Sequence, residues 1–228
     1  MIIGDDFMII LLNASPRKYG ATATILQYIS EQLQHQNINT TIIHVSDMNL
    51  NYCIDCYKCY ENGKCIFMDD IETLSVKIKK ADGIIIATPT YASNISGQLK
   101  TIIDRGHFVM EQLLHHKYAM SVVTYENYGG KDTAKILNKL LFNSGAILTR
   151  PILVKYPYSK NPLTSKKIKR KIIKKTNYFY LTFLKQKKPT YQKLKHFIIF
   201  YFGIFPFVIR NKSKFSGVIS AWKKNNII

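Results

Sequence analysis

Acidic residues are missing from the last third of the chain. Residues 151–228 hold 19 Lys and Arg and no Asp or Glu, whereas residues 1–150 hold 14 of each. The formal charge of +19 therefore belongs to the tail, and the neutral first part is a separate piece of chemistry. Cysteine is scarce too: there are four, all between Cys53 and Cys65. A secreted disulfide scaffold spreads its bridges through the chain, so this cluster reads instead as an intracellular metal or redox site. Met1–Asp6 is acidic, without a basic start or a small-residue cleavage site, and a signal peptide is not expected. The apolar run Phe197–Ile209 has 13 residues and contains Pro206, too short to span a bilayer as a helix. No repeat is visible. Neither G-x-x-x-x-G-K-[ST] nor G-x-G-x-x-G occurs, which argues against a triphosphate or pyrophosphate loop.

What is present alternates. Apolar runs at Phe7–Leu12, Gly83–Ala87, Tyr118–Thr124 and Ile147–Val154, with Thr40–Val45, read as strands. Runs without polar alternation suit strands buried on both faces. Helical spacing appears at Ala21–Leu33 (Ile25, Leu26, Ile29, Leu33), Ile71–Lys80, Ile95–Leu114 and Asp132–Ser144. Strands alternating with helices predict an α/β fold with a parallel sheet, because parallel neighbours need a crossover. With 228 residues, 46% of them hydrophobic, the chain can build one sizeable core and a smaller appendage. Prolines cluster at Pro151–Pro162 where acids vanish. The boundary is placed there, giving a domain over 1–155 and a basic, mainly helical extension over 156–228.

Ligands of an open parallel sheet sit beyond the C-terminal strand ends, and three loops leave from those ends. The first, Ser15-Pro16-Arg17-Lys18-Tyr19-Gly20-Ala21-Thr22, leads into a helix N-terminus. Free backbone N–H groups and the helix dipole favour an anion there. Ser15 and Thr22 add hydroxyls, Arg17 and Lys18 add charge, and a monophosphate suits the spacing; an ordinary capped turn is the plainer reading. The second, Thr88-Pro89-Thr90-Tyr91-Ala92-Ser93-Asn94, combines a rigid Pro, an aromatic and an amide that suit a flat heteroaromatic ring. A helix cap by Ser93 or Asn94 is its plainer reading. The third, Tyr125–Gly130, ends in Gly129 and Gly130, which let the backbone approach a ligand closely.

The cysteines Cys53, Cys56, Cys59 and Cys65 are spaced C-x2-C-x2-C-x5-C. Thiolates two residues apart can converge on one centre. The run is similar to the [4Fe–4S] pattern of bacterial ferredoxins. Tetrahedral zinc is a second reading, usually met as two separated C-x2-C knuckles, and free or partly disulfide-bonded thiols are a third.

Ser15-Pro16-Arg17-Lys18 with Gly20 and Thr22, the four cysteines, Asp69-Asp70, Ala81-Asp82-Gly83, Thr88-Pro89-Thr90-Tyr91, Leu99-Lys100 and Asp104-Arg105 occur in this order. Over residues 8–150 the chain thereby resembles the NADPH-dependent FMN reductase family, and within it the iron–sulfur flavoproteins. The resemblance implies a flavodoxin-like open five-stranded parallel sheet with helices on both faces. It implies an FMN phosphate held at Ser15, Arg17, Lys18, Gly20 and Thr22. The isoalloxazine would lie along Pro89, Thr90, Tyr91 and Asn94, and Thr124, Gly129 and Gly130 would close its other edge. It implies NAD(P)H as co-substrate, a [4Fe–4S] cluster on the cysteines, and a homodimer or tetramer with the flavin near a subunit interface. Ala14, Tyr19 and Ala21 depart from the family's usual Gly, Asn and Asn; Ala21 removes a side-chain donor beside the phosphate.

The functional expectation is a cytoplasmic FMN-dependent oxidoreductase that passes electrons from NAD(P)H or another donor to a flavin, quinone or similar acceptor. An electron carrier served by a redox protein such as ferredoxin is the alternative, and a polyanion-docking redox sensor is a third reading. In the tail, Lys166–Lys175 and Lys187-Lys188 are interleaved with Tyr178, Phe179, Tyr180 and Phe183. Contact with nucleic acid or anionic lipid is weighed there against a solvated helical face, which is preferred; nucleic acid is not the expected partner. Phe197–Ile209 is assigned to the core or a dimer interface, with a membrane-surface position left open. Trp222 is expected to anchor the tail. His35, His44, His107, His115, His116 and His196 show no ligand spacing.

Overall fold

The computed structural model describes residues 7–105 and 108–228; Met1–Asp6 and His107 lie outside them. The strands are β1 (Met8–Asn13), β2 (Asn39–His44), β3 (Gly83–Pro89), β4 (Tyr118–Tyr125), β5 (Ile147–Leu148) and β6 (Ile152–Lys155). The helices are α1 (Ala21–Gln34), α2 (Lys58–Asn62), α3 (Asp70–Lys80), α4 (Gly97–Arg105), α5 (Gly130–Asn143), α6 (Lys166–Leu184), α7 (Thr190–Ile199), α8 (Phe205–Arg210) and α9 (Ser216–Lys224).

All strand pairings are parallel, in the order β2-β1-β3-β4, with β5 and β6 both on the outer side of β4. The expected single strand at 147–154 is split. Ala119 faces Leu148 but Val122 faces Ile152, so the outer strand carries one extra residue. Pro151, which has no N–H for the ladder, sits in that bulge. The sheet is thus five strands wide. β3 is buried throughout and β4 in all but its last residue, as continuous apolar runs demand.

Side-chain alternation sends Ile10, Leu12, Ile84 and Ile86 to one face, against Leu74, Ile78, Leu99, Ile102, Leu137 and Leu141 of α3, α4 and α5. Ile9, Leu11, Ile85 and Met120 meet Ile25, Leu26 and Ile29 of α1 on the other. The second helix on that face is α6, through Ile172, Phe179 and Phe183. A helix whose lysines dominate its composition therefore completes the sheet's cover, with apolar residues on one side and charge on the other.

The helix expected over Ile95–Leu114 is shorter. It starts at Gly97, ends at Arg105, and residues 108–116 form turns. Beyond α6, residues 190–210 are helical throughout, with a π-helical turn at Phe200–Ile204 just before Pro206. A wider turn there relieves the clash and the missing donor that proline imposes on a helix. Among the described residues this helix, Thr190–Arg210, is the one long and apolar enough to cross a membrane by length and composition. Phe200, Val208, Phe215, Val218 and Trp222 form a third apolar cluster with Tyr60 and Met110. Trp222 is fully buried and donates from Nε1 to the Met110 carbonyl at 2.7 Å.

Candidate flavin and cysteine sites

Every strand runs the same way, so the segments after β1, β2, β3, β4 and β6 all leave from one edge of the sheet. After β1, Asn13 Oδ1 accepts from the Ser15 amide, and Ser15 Oγ accepts from the Arg17 amide at 3.1 Å. The turn closes with the Gly20 amide donating to the Arg17 carbonyl at 3.2 Å. Gly20 is the N-cap of α1 and makes no side-chain cap bond, and the first turn carries no acid. The leading amides of α1 are therefore left for an outside acceptor.

Thr22 Oγ1 lies 2.8 Å from Thr124 Oγ1, which ties the first loop to the end of β4. Ser15, Arg17, Gly20 and Thr22 converge on one small pocket with Pro89 and Tyr91. Lys18 points elsewhere, to Asp47 at 2.5 Å, in an exposed ion pair. Such a pair contributes little to stability.

After β3, Tyr91 and Asn94 exchange both backbone bonds, at 3.0 and 2.9 Å, across Ala92 and Ser93. Those two residues have φ of 47° and 59°. Two adjacent non-glycine residues in the left-handed region are costly and concentrate at ligand clamps. Asn94 Oδ1 accepts from the Ile95 amide at 2.8 Å. The α4 cap, however, is Ser96, whose Oγ accepts from the Leu99 amide and donates to the Ala14 carbonyl at 2.6 Å. That residue escaped the sequence reading.

The third loop closes tightly on the second. Gly129 has φ of +79°, and a Cβ there would lie 2.8 Å from Ser93 Cα. Thr90 Oγ1 is buried without a hydrogen-bond partner, an orphan expected to find one in a ligand. Tyr158 is a further unexpected member. Its hydroxyl donates to the carbonyls of Thr90 at 3.2 Å and Thr124 at 3.4 Å, and the Arg17 guanidinium sits 5.7 Å above its ring. The signal was positional: a residue just past the last parallel strand must emerge on the ligand edge.

After β2 the chain builds the cysteine segment. Asp55 and Tyr57 take left-handed φ of 54° and 58°, which wind the chain between successive cysteines. Cys53, Cys56, Cys59 and Cys65 all line one cavity of about 40 Å³, with Tyr60, Phe67 and Arg105. All four are free thiols. Among the described residues no three His, Cys, Asp or Glu side chains already stand in metal-binding geometry.

Arg105 donates from Nη2 to Cys65 Sγ at 3.2 Å and pairs with Asp69 through both amino groups; both side chains are buried. Burial pushes the Asp69 carboxyl up, but the hydrogen bonds from Arg105 and Asn51 outweigh it and hold the pKa at about 2. Between the two sites lies an open cleft of about 470 Å³, lined by Pro16, Met48, Leu50, Tyr52, Gln98 and Thr101.

Among the histidines, His115 stacks on His116 at 3.9 Å and His196 bonds Gln112 at 2.8 Å. They lie on the wall of a separate cavity with Lys188 and Phe200.

Residues 7–157 match the sequence profile of NADPH-dependent FMN reductases. The chain belongs to that family. An iron–sulfur flavoprotein of Clostridioides difficile is 32% identical over 225 residues, covering 97% of this chain and all of that protein. The match along the whole length places the chain in the iron–sulfur flavoprotein branch. In fold, it is similar to an NADH:FMN oxidoreductase in its apo form (TM-score 0.62, 20% identity, 77% of this chain and 89% of that one). A flavodoxin from the Archaea superposes with a TM-score of 0.50 at 13% identity, covering 76% of this chain and 99% of that one. The sheet is flavodoxin-like, and the family is one of FMN-dependent oxidoreductases.

Proposed function

We propose that the protein is a cytoplasmic FMN-dependent oxidoreductase that takes electrons from NAD(P)H and passes them to a quinone, flavin or similar acceptor, with a [4Fe–4S] cluster on the four cysteines as relay. The observation that carries the reading is the convergence of Ser15, Arg17, Gly20 and Thr22 with Pro89 and Tyr91 on one pocket, at a helix N-terminus free of side-chain caps. These donors suit the phosphate of FMN. The orphaned Thr90 hydroxyl suits a ring edge beside the second loop, which Gly129 braces by packing against Ser93. Lys18, paired with Asp47, stands outside this phosphate site.

When bound, FMN supplies hydride acceptance and one-electron release. This chain's residues bind, orient and exclude water; hydride transfer needs no general base, and none is assigned. The donor set of four thiols around one cavity, with an Arg105 N–H on Cys65 Sγ, fits an iron–sulfur cluster, whose potential such hydrogen bonds tune. The cleft beside Pro16 and Tyr52 is large enough for a co-substrate.

Titration of apoprotein with FMN tests the first site. Arg17→Ala removes a charge-assisted donor and is expected to raise the Kd roughly tenfold; a colourless protein that refuses FMN ends the assignment. Anoxic purification tests the second. Wild type should carry iron and sulfide, while Cys56→Ser loses both yet keeps FMN at unchanged affinity. Iron at trace level in the wild type would remove the cluster. Steady-state oxidation of NADH or NADPH with menadione separates the reductase from a pure carrier. Negligible turnover together with rapid reduction by ferredoxin favours the carrier.

A further inference from the structure

The helical unit 190–210 has one side already satisfied. Phe200 and Val208 are buried against Phe215 and Trp222. Its opposite side is apolar as well. Leu194, Phe197, Ile198, Tyr201 and Phe202 recur at spacings of three and four, on one stripe, and all are exposed; Phe202 is 75% exposed. Contiguous apolar surface of this kind marks an interaction face.

Two occupants are chemically distinct. A second copy of the chain, meeting this stripe about a twofold axis, would bring like charge to like. Lys187, Lys188 and Lys193 flank one end, and Arg210 and Lys212 the other, while Lys195 and Lys214 sit over the rings of Phe142 and Tyr57; residues 151–228 hold no Asp or Glu. An anionic bilayer surface supplies what is missing, apolar depth for the stripe and negative charge for both basic ends. Tyr191 and Tyr201, both exposed, are of the amphipathic type that settles at headgroup level. A helix with its far side packed on protein lies along such a surface rather than crossing it.

We infer that the exposed stripe Leu194–Phe202 with its flanking lysines is a docking face for an anionic lipid bilayer, which makes the protein peripheral to the membrane. Flotation of the full-length protein with vesicles tests this, comparing phosphatidylcholine alone with phosphatidylcholine mixed with phosphatidylglycerol. Binding to the mixed vesicles alone is expected, and it should weaken as salt rises. Phe197→Ser with Phe202→Ser should weaken partition by at least about tenfold. Lys187→Glu with Lys212→Glu should weaken it as well. All four side chains are exposed, and an unchanged circular dichroism spectrum shows that each variant folds. Absence of binding to the mixed vesicles overturns the inference, as does equal binding to both vesicle types. Light scattering that gives a wild-type dimer and a Phe197→Ser/Phe202→Ser monomer also overturns it, by assigning the stripe to a second copy.

Discussion

Arg105→Met is expected to lower the unfolding free energy by about 3–5 kcal/mol, the range for a buried charge that loses its partner. The loss is large because Arg105 holds three things at once. It pairs with Asp69, donates to the Asn51 carbonyl at 2.8 Å and to Cys65 Sγ at 3.2 Å. Asp69 in turn accepts from the Asn51 amide at 2.9 Å and from the Ile71 amide at 3.3 Å. One ion pair therefore fastens both ends of the cysteine segment to α4. Removing the cation leaves a carboxylate with its side chain fully inside the protein. Arg105→Lys rescues little, since an ammonium cannot reproduce the planar fork.

The pH dependence carries the same signature. The Asp69 pKa falls from an ordinary 3.8 to about 2 in the folded protein. Its contribution is fully present above the unfolded value and is lost as pH falls from about 4 to about 2, worth about 2 kcal/mol in all. Without Arg105 burial pushes the folded pKa up, so this acid loss shrinks, and it reverses in sign once the folded value passes the unfolded one. Chemical denaturation at several pH values measures both effects. Equal acid sensitivity in wild type and Arg105→Met would remove the ion pair from the account.

The alternation of apolar runs with helical spacing was enough to read the parallel sheet, because strands covered on both faces are written without polar alternation, as in Ile84-Ile85-Ile86. The three loops were legible for a related reason: strand direction fixes which edge they leave from. Other features depend on contacts distant in sequence. The Arg105–Asp69 pair joins residues whose types alone do not distinguish a buried pair from two surface charges, and Tyr158 falls past the boundary, in the stretch assigned to the basic extension. The bulge that splits β5 from β6 follows from register against β4, although Pro151 marked its place. In α6, fourteen residues outside the buried five set the composition, and the lysines hid a helix whose inner face closes the core. Lys18 shows the converse. Its type and position suited a phosphate, but a local carboxylate at Asp47 was nearer.

Gly217→Ala is expected to destabilise the protein by about 1–3 kcal/mol, with the sign as the informative part. In an open helical position the same change stabilises, by up to about 1 kcal/mol. Here a Cβ would lie 2.2 Å from the Gly63 nitrogen and 2.9 Å from the Asn62 carbonyl carbon. These are backbone atoms with no rotamer to change, so α9 must lift from α2. Lifting it breaks the Ser216 hydroxyl bond to the Glu61 carbonyl at 2.8 Å and parts Tyr60 from Phe215, whose rings are 5.2 Å apart. Cys59 lies on α2 and Tyr60 lines the cysteine cavity. The consequence therefore reaches the cysteine site rather than the flavin loops, none of whose residues belongs to the apolar cluster that holds α9. Iron retention should fall while the FMN Kd stays within about twofold, well under the tenfold that 1.4 kcal/mol represents. Thermal denaturation with parallel iron and flavin assays reads all three quantities. A rise in Tm, or a loss of FMN with iron intact, would show that the tail does not hold the cysteine segment in place.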